Sequence, residues 1–181
     1  MKKFYEHKSH RLQNYNYSSN GSYFITICTK NKECLLGDIT VADDTVSDLQ
    51  TDNINDSIYH KSINAKIILS DYGKTTYKYI ESSKTAYENL AVDNYVIMPN
   101  HIHLIISVSS AQQTLSSSPQ HALIPHYVAT LKLLITRETG FSLFQRNYHD
   151  HIIRNEKEYE KIWDYIDTNV SNWVADRFYM Y

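Results

Sequence analysis

Only two cysteines, Cys28 and Cys34, occur in the 181 residues. They form neither a disulfide framework nor a zinc-finger spacing, which predicts free thiols in a reducing compartment. No apolar run approaches the roughly 20 residues of a membrane-spanning helix. The opening "MKKFYEHKSH" is charged but lacks the apolar stretch of a secretory signal. The expectation is a cytoplasmic protein without membrane contact. There is no internal repeat, and the length suits a single domain over residues 1–181.

An excess of positive charge is also missing: 18 Lys and Arg face 20 Asp and Glu, for a net charge of −2. The acidity is local, however. Glu33, Asp38, Asp43, Asp44, Asp48, Asp52 and Asp56 lie in a stretch without Lys or Arg, so the rest of the chain is mildly basic. Mild basicity permits phosphate binding without demonstrating it. The sixteen tyrosines include candidates for stacking on bases, though half-buried packing accounts for most such residues.

What is present is a sequence of alternating and helical patterns. "SYFITICTK" (22–30) alternates apolar and polar residues and predicts a strand. A stretch at about 33–64, rich in acids and in Asn, Ser and Thr, predicts a surface excursion with room for a short hairpin. "AKIILS" (65–70) fits a short strand, and Asp71 is placed to cap a helix running to about residue 90. "VDNYVIMP" and "HIHLIISV" read as two strands joined at Pro99 and Asn100 by a tight turn. Residues 124–140 predict a second helix stopped by Gly140. "RNYHDHIIR" (146–154) predicts a further strand, and Asn155 caps a third helix whose early glutamates suit its N-terminal dipole. The expected fold is α+β: a ferredoxin-like βαββαβ antiparallel sheet with an added C-terminal helix. Two helices bury one face of such a sheet and leave the other for a ligand or partner.

Residues two apart in a strand point the same way. His101 and His103 therefore share a face with Ile105, while Ile102, Leu104 and Ile106 turn to the core. Two imidazoles about 6.5–7 Å apart along a strand can converge on one ion. Taken alone, His-x-His favours two polar residues on an exposed sheet face, since a metal site needs a third ligand. On the third helix, an advance of about 100° per residue puts Tyr159, Ile162, Trp163, Ile166 and Val170 on one stripe. Tyr165 and Asn169 fall together on its flank, within reach of a sheet edge. Without more to go on, Tyr165 reads as one more surface tyrosine among sixteen.

"SYFITICTKNKECLLGDI", "LSDYGK", "VIMPNHIHLI" and "FQRNYHDHIIRNEKEYEKIWDYIDTN", in that order along the chain, resemble the single-tyrosine HUH transposases. That family comprises small insertion-sequence and REP-associated tyrosine transposases, and HUH denotes His-hydrophobic-His. The resemblance covers most of the chain apart from the termini and about residues 40–64. It implies His101, His103 and Asn169 as ligands of a divalent metal, Mg²⁺ or Mn²⁺, and Tyr165 as the catalytic nucleophile. It implies cutting and rejoining of single-stranded DNA, hairpin-containing, through a 5′-phosphotyrosine, with a homodimer as one arrangement found among relatives.

Two features depart from the family. Val170 stands where proline usually follows the asparagine, and the acidic excursion is longer than usual. Arg146 and Arg154 are candidate phosphate contacts, with Lys132 and Arg137 behind them. His149 and His151 alternate like a second pair and read as sheet-face residues. Two rival functions follow from the same residues: a domesticated hairpin-binding module that does not cut, and a metal-dependent hydrolase that activates water.

Overall fold

The computed structural model describes residues 21–41, 65–109 and 123–173. The middle of the acidic excursion, the termini and the "AQQTLSSSPQ" loop lie outside them. The elements are β1 (Gly21–Cys28), a 3₁₀ turn (Lys30–Lys32), β2 (Gly37–Val41), β3 (Ala65–Leu69), α1 (Asp71–Ser83), β4 (Leu90–Met98), β5 (His101–Val108), α2 (Leu123–Thr139), β6 (His149–Ile153) and α3 (Glu156–Thr168). Four strands form one antiparallel sheet in the order β4-β5-β1-β6. With β1, β4, β5 and β6 counted as its four strands, this is the ferredoxin-like order expected. No helix among the described residues is long and apolar enough to cross a membrane.

Alternation sorts each strand between two cores. Tyr23, Ile25, Ile27, Ile102, Leu104 and Ile106 are fully buried in the larger core, which includes the apolar sides of α1 and α2. At about 1.5–3 kcal/mol per buried large side chain, this side fixes which way the sheet faces. The opposite face is covered as well. Ile105, Ile153 and Ile166 form a second, smaller core with Phe24, Val96, Tyr159, Ile162 and Trp163. The face expected to remain open therefore carries α3 across it, because the stripe centred on Tyr159 needs an apolar surface and Ile105 and Val96 offer one.

So small a core leaves polar ties a large share in seating α3. A bulge between Val92 and Asn94 interrupts the β4–β5 ladder. The added residue lets Val92 and Tyr95 both serve the larger core, and it turns Asp93 and Asn94 toward α3. Tyr159 donates to Asp93 Oδ2 at 3.0 Å, and Asn94 Nδ2 donates to Asp167 Oδ1 at 2.9 Å. Ser107 Oγ also donates to Asp93, and Ser107 is linked to Ser22 Oγ at 2.8 Å.

Several boundaries differ from expectation for local reasons. Ser70, not Asp71, caps α1: its hydroxyl accepts from Gly73 N at 3.1 Å and donates to Leu35 O at 2.6 Å. Gly73 is required by proximity, since a Cβ there would lie 1.9 Å from Leu36 O. The helix stops at Ser83, and residues 84–89 form turns before β4. The outer arms of the excursion pair as a two-stranded sheet, with β2 antiparallel to β3. Gly140 ends α2 with φ +68°, as expected. The last strand starts at His149 rather than Arg146. The preceding segment is held by Lys132, whose Nζ donates to the carbonyls of Gln145, Arg146 and Asn147 at 2.8, 3.2 and 3.2 Å.

Candidate active site

The Pro99–Asn100 turn delivers His101 and His103 to the start of β5, facing α3. Both are fully buried. Their Nε2 atoms stand 3.0 Å apart, and each Nδ1 has its own partner on the outer side. His101 Nδ1 is 2.7 Å from Asn100 Oδ1, and His103 Nδ1 is 2.8 Å from Thr26 Oγ1. An amide oxygen only accepts, so His101 carries its proton on Nδ1 and presents a lone pair at Nε2. Thr26 sits directly across the ladder from His103, and a hydroxyl can donate or accept there. Phe24 stacks on His103 at 5.0 Å and meets the Tyr165 ring edge-on at 6.0 Å. On the other side of the pair, Trp173 stacks on His101 at 6.1 Å.

Tyr165 projects from the flank of α3 with its hydroxyl 3.3 Å from His103 Nε2. It is 38% exposed, so its oxygen lies between a buried imidazole and solvent. Tyr159, six residues earlier, is a poor substitute. Burial, then its hydrogen bond to the Asp93 carboxylate, pushes its pKa up to about 12. Asn169 closes α3 as its C-cap and is almost fully buried. Its Oδ1 has no hydrogen-bond partner, an uncommon state for a buried acceptor.

These residues fit a small divalent cation. An octahedral ion with ligands at about 2.1 Å sets neighbouring ligands about 3.0 Å apart, which is the Nε2–Nε2 separation found here. The outer partners on both Nδ1 atoms match how proteins orient metal-binding imidazoles. The orphaned Asn169 oxygen is a hard donor in want of a positive partner. Among the described residues, no group of three or more His, Cys, Asp or Glu gathers as a metal cluster.

The remaining candidates are spread out. Arg146 and Arg154 are exposed at either end of β6, and Arg137 is exposed in the last turn of α2. Lys132 is tied to the three carbonyls described above. His149 and His151 lie on the α3 side of the sheet, opposite Thr26 and Phe24. His151 Nε2 bonds Glu158 Oε1 at 2.7 Å. The backbone N–H of Arg154 and the His151 ring hold the Glu158 carboxyl below its usual pKa. Sequence reasoning missed Thr26, Asn100 and Trp173. Strand pairing would have exposed Thr26, since β1 and β5 alternate in step. In the sequence Asn100 has the signature of a turn residue alone.

The fold and this arrangement define a class, the ferredoxin-like α+β proteins with a helix laid over the second sheet face. A REP-associated tyrosine transposase bound to a REP hairpin has the same fold, with a TM-score of 0.54 and 19% identity over 88% of this chain and 71% of its own. A Deinococcus radiodurans chain named as a candidate transposase superposes more loosely, with a TM-score of 0.43 and 16% identity over 87% of this chain and 97% of its own. No protein-family model matches the chain. It belongs to the same family as a Haemophilus influenzae protein described as uncharacterized, with 34% identity over 190 aligned residues, covering 96% of this chain and 93% of the relative.

Proposed function

We propose that this protein is a single-tyrosine HUH transposase that cuts and rejoins single-stranded DNA. The observation that carries the reading is the Tyr165 hydroxyl 3.3 Å from His103 Nε2, beside two imidazole nitrogens converging at 3.0 Å. A nucleophile and a candidate ion site meet there in one chain.

His101 and His103, joined by Asn169, would hold the divalent ion. When bound, it would supply Lewis-acid stabilisation and a template for the scissile phosphate. The chain's own residues do the rest. Asn100 and Thr26 orient the imidazoles, and Phe24 fixes the Tyr165 ring against His103. The Tyr165 oxygen attacks phosphorus, its proton passing to water on the exposed side. The new bond joins that oxygen to phosphorus. The bond that breaks is from phosphorus to the upstream 3′ oxygen, which takes a proton and leaves as a 3′-OH. The resulting 5′-phosphotyrosine retains the phosphodiester's free energy, so a 3′-OH can reverse the step on another strand without ATP.

The substrate proposed is a hairpin-containing single strand in the cytoplasm; the structural relative is bound to a REP hairpin. Arg146 and Arg154 are the proposed phosphate contacts. The test is to incubate the protein with Mn²⁺ and a labelled hairpin strand, then resolve covalent adducts under denaturing conditions. An adduct lost in Tyr165→Phe is expected. Hairpin binding without an adduct would favour the non-cutting module, and cleavage surviving Tyr165→Phe would favour the hydrolase.

A further inference from the structure

Beyond α3 the chain makes one more turn and returns to the sheet. Asn172 N donates to Thr168 O and to Asn169 O, each at 3.1 Å, and Trp173 N donates to Val170 O at 3.4 Å. The α-helix does not run on past Val170, as the missing proline suggested it could: it ends at Thr168, and Val170 lies in the turn that follows. The turn ends with Trp173 nine-tenths buried and its indole lying nearly parallel to the His101 imidazole, at 23°. The helix that carries Tyr165 is thus held near both its ends, in addition to the Asn94–Asp167 bond. Tyr159 ties its first half to Asp93, and Trp173 ties the segment past its end to His101. Tyr165 and Asn169 lie between the two ties.

We propose that Trp173 is a positioning residue for the His pair. Its ring sets the plane of the His101 imidazole and holds the turn containing Asn169 against that end of the sheet. A histidine on a strand keeps freedom about its ring torsion. Asn100 limits that freedom from the edge of the ring, and the indole limits it from the face. The inference rests on the reading of His101 and His103 as ligands of a divalent ion.

The test uses the full chain and Mn²⁺ alone, without DNA. Free Mn²⁺ is followed by electron paramagnetic resonance for the parent, Trp173→Phe and Trp173→Ala, with circular dichroism to establish folding. Trp173→Ala should weaken Mn²⁺ binding about tenfold or more, while Trp173→Phe, which keeps a stacking ring, should stay within about threefold of the parent. In a Trp163→Phe background Trp173 is the sole tryptophan, and Mn²⁺ should quench its emission unless His101 is also replaced by Ala. Folded Trp173→Ala binding Mn²⁺ like the parent, or Mn²⁺ binding by the Trp163→Phe protein without any change in its Trp173 emission, overturns the inference and leaves the ion site standing. A parent chain that binds no Mn²⁺ overturns both.

Discussion

Tyr165 reaches His103 within a single chain, its hydroxyl 3.3 Å from Nε2. On the function proposed above, this arrangement has the tyrosine acting in cis. Mixing Tyr165→Phe with His101→Ala protein should therefore yield no more DNA adduct than either variant alone. Recovery of adduct in the mixture would mean that the tyrosine acts in trans.

Thr26→Val keeps the shape of the side chain and removes the partner of His103 Nδ1. Loss of such an outer partner costs roughly 10–100-fold in metal affinity. Mn²⁺ titration of the folded variant should show a loss of that order.

Asn169 Oδ1 bears the cost of burial without a partner. Asn169→Leu should therefore unfold at the same temperature as the parent, or higher, when both are held in chelator. The ordering should reverse with Mn²⁺: at a hundred times its dissociation constant a ligand adds about 2.7 kcal/mol, which only the parent would gain in full. Thermal melts with and without Mn²⁺ measure both effects.

Gly73→Ala sets two effects against each other. Alanine favours a helix by about 1 kcal/mol over glycine. A Cβ 1.9 Å from the Leu36 carbonyl oxygen forces the backbone apart, and overpacking of this kind costs about 1–3 kcal/mol or more. The clash should win. Urea unfolding should show net destabilisation, with a lower midpoint and an unchanged slope.

Alkaline pH should loosen α3. Burial and the Asp93 hydrogen bond raise the Tyr159 pKa to about 12, and burial does the same for Tyr127. Both phenols hold their protons more tightly when folded. The stability they contribute is therefore whole below about pH 10 and is lost as pH climbs toward 12. Burial and the Glu81 hydrogen bond raise Tyr95 as well, and the Glu138 hydrogen bond raises Tyr79, so ultraviolet titration should show a group of late phenolates that loses one member in Tyr159→Phe.

Much of this arrangement was legible in the sequence. Strict alternation in "HIHLIISV" assigned the histidines and Ile102, Leu104 and Ile106 to opposite faces, and the helical spacing of Tyr159, Ile162 and Ile166 put Tyr165 on a flank. The second core was harder to foresee. Ile105 looked like a lone apolar residue on a polar face until α3 covered it. The Val92/Asn94 bulge breaks the alternation that a reader of strands relies on, and hides the role of Asp93. Thr26 and Trp173 are brought to the histidines only by strand register and by the turn beyond α3, neither of which leaves a local signal.

The hydroxyl of Thr26 adds one consequence. It can donate to His103 Nδ1, leaving the Nε2 proton to bridge toward His101. It can also turn and accept, freeing Nε2 for a cation. Switching between the two moves a proton across one ring and rotates one hydroxyl, so on the proposed reading the pair would take up an ion without any net exchange of protons with the solvent. A carboxylate in place of Thr26 would fix one tautomer permanently, whereas Thr26→Ser should keep both.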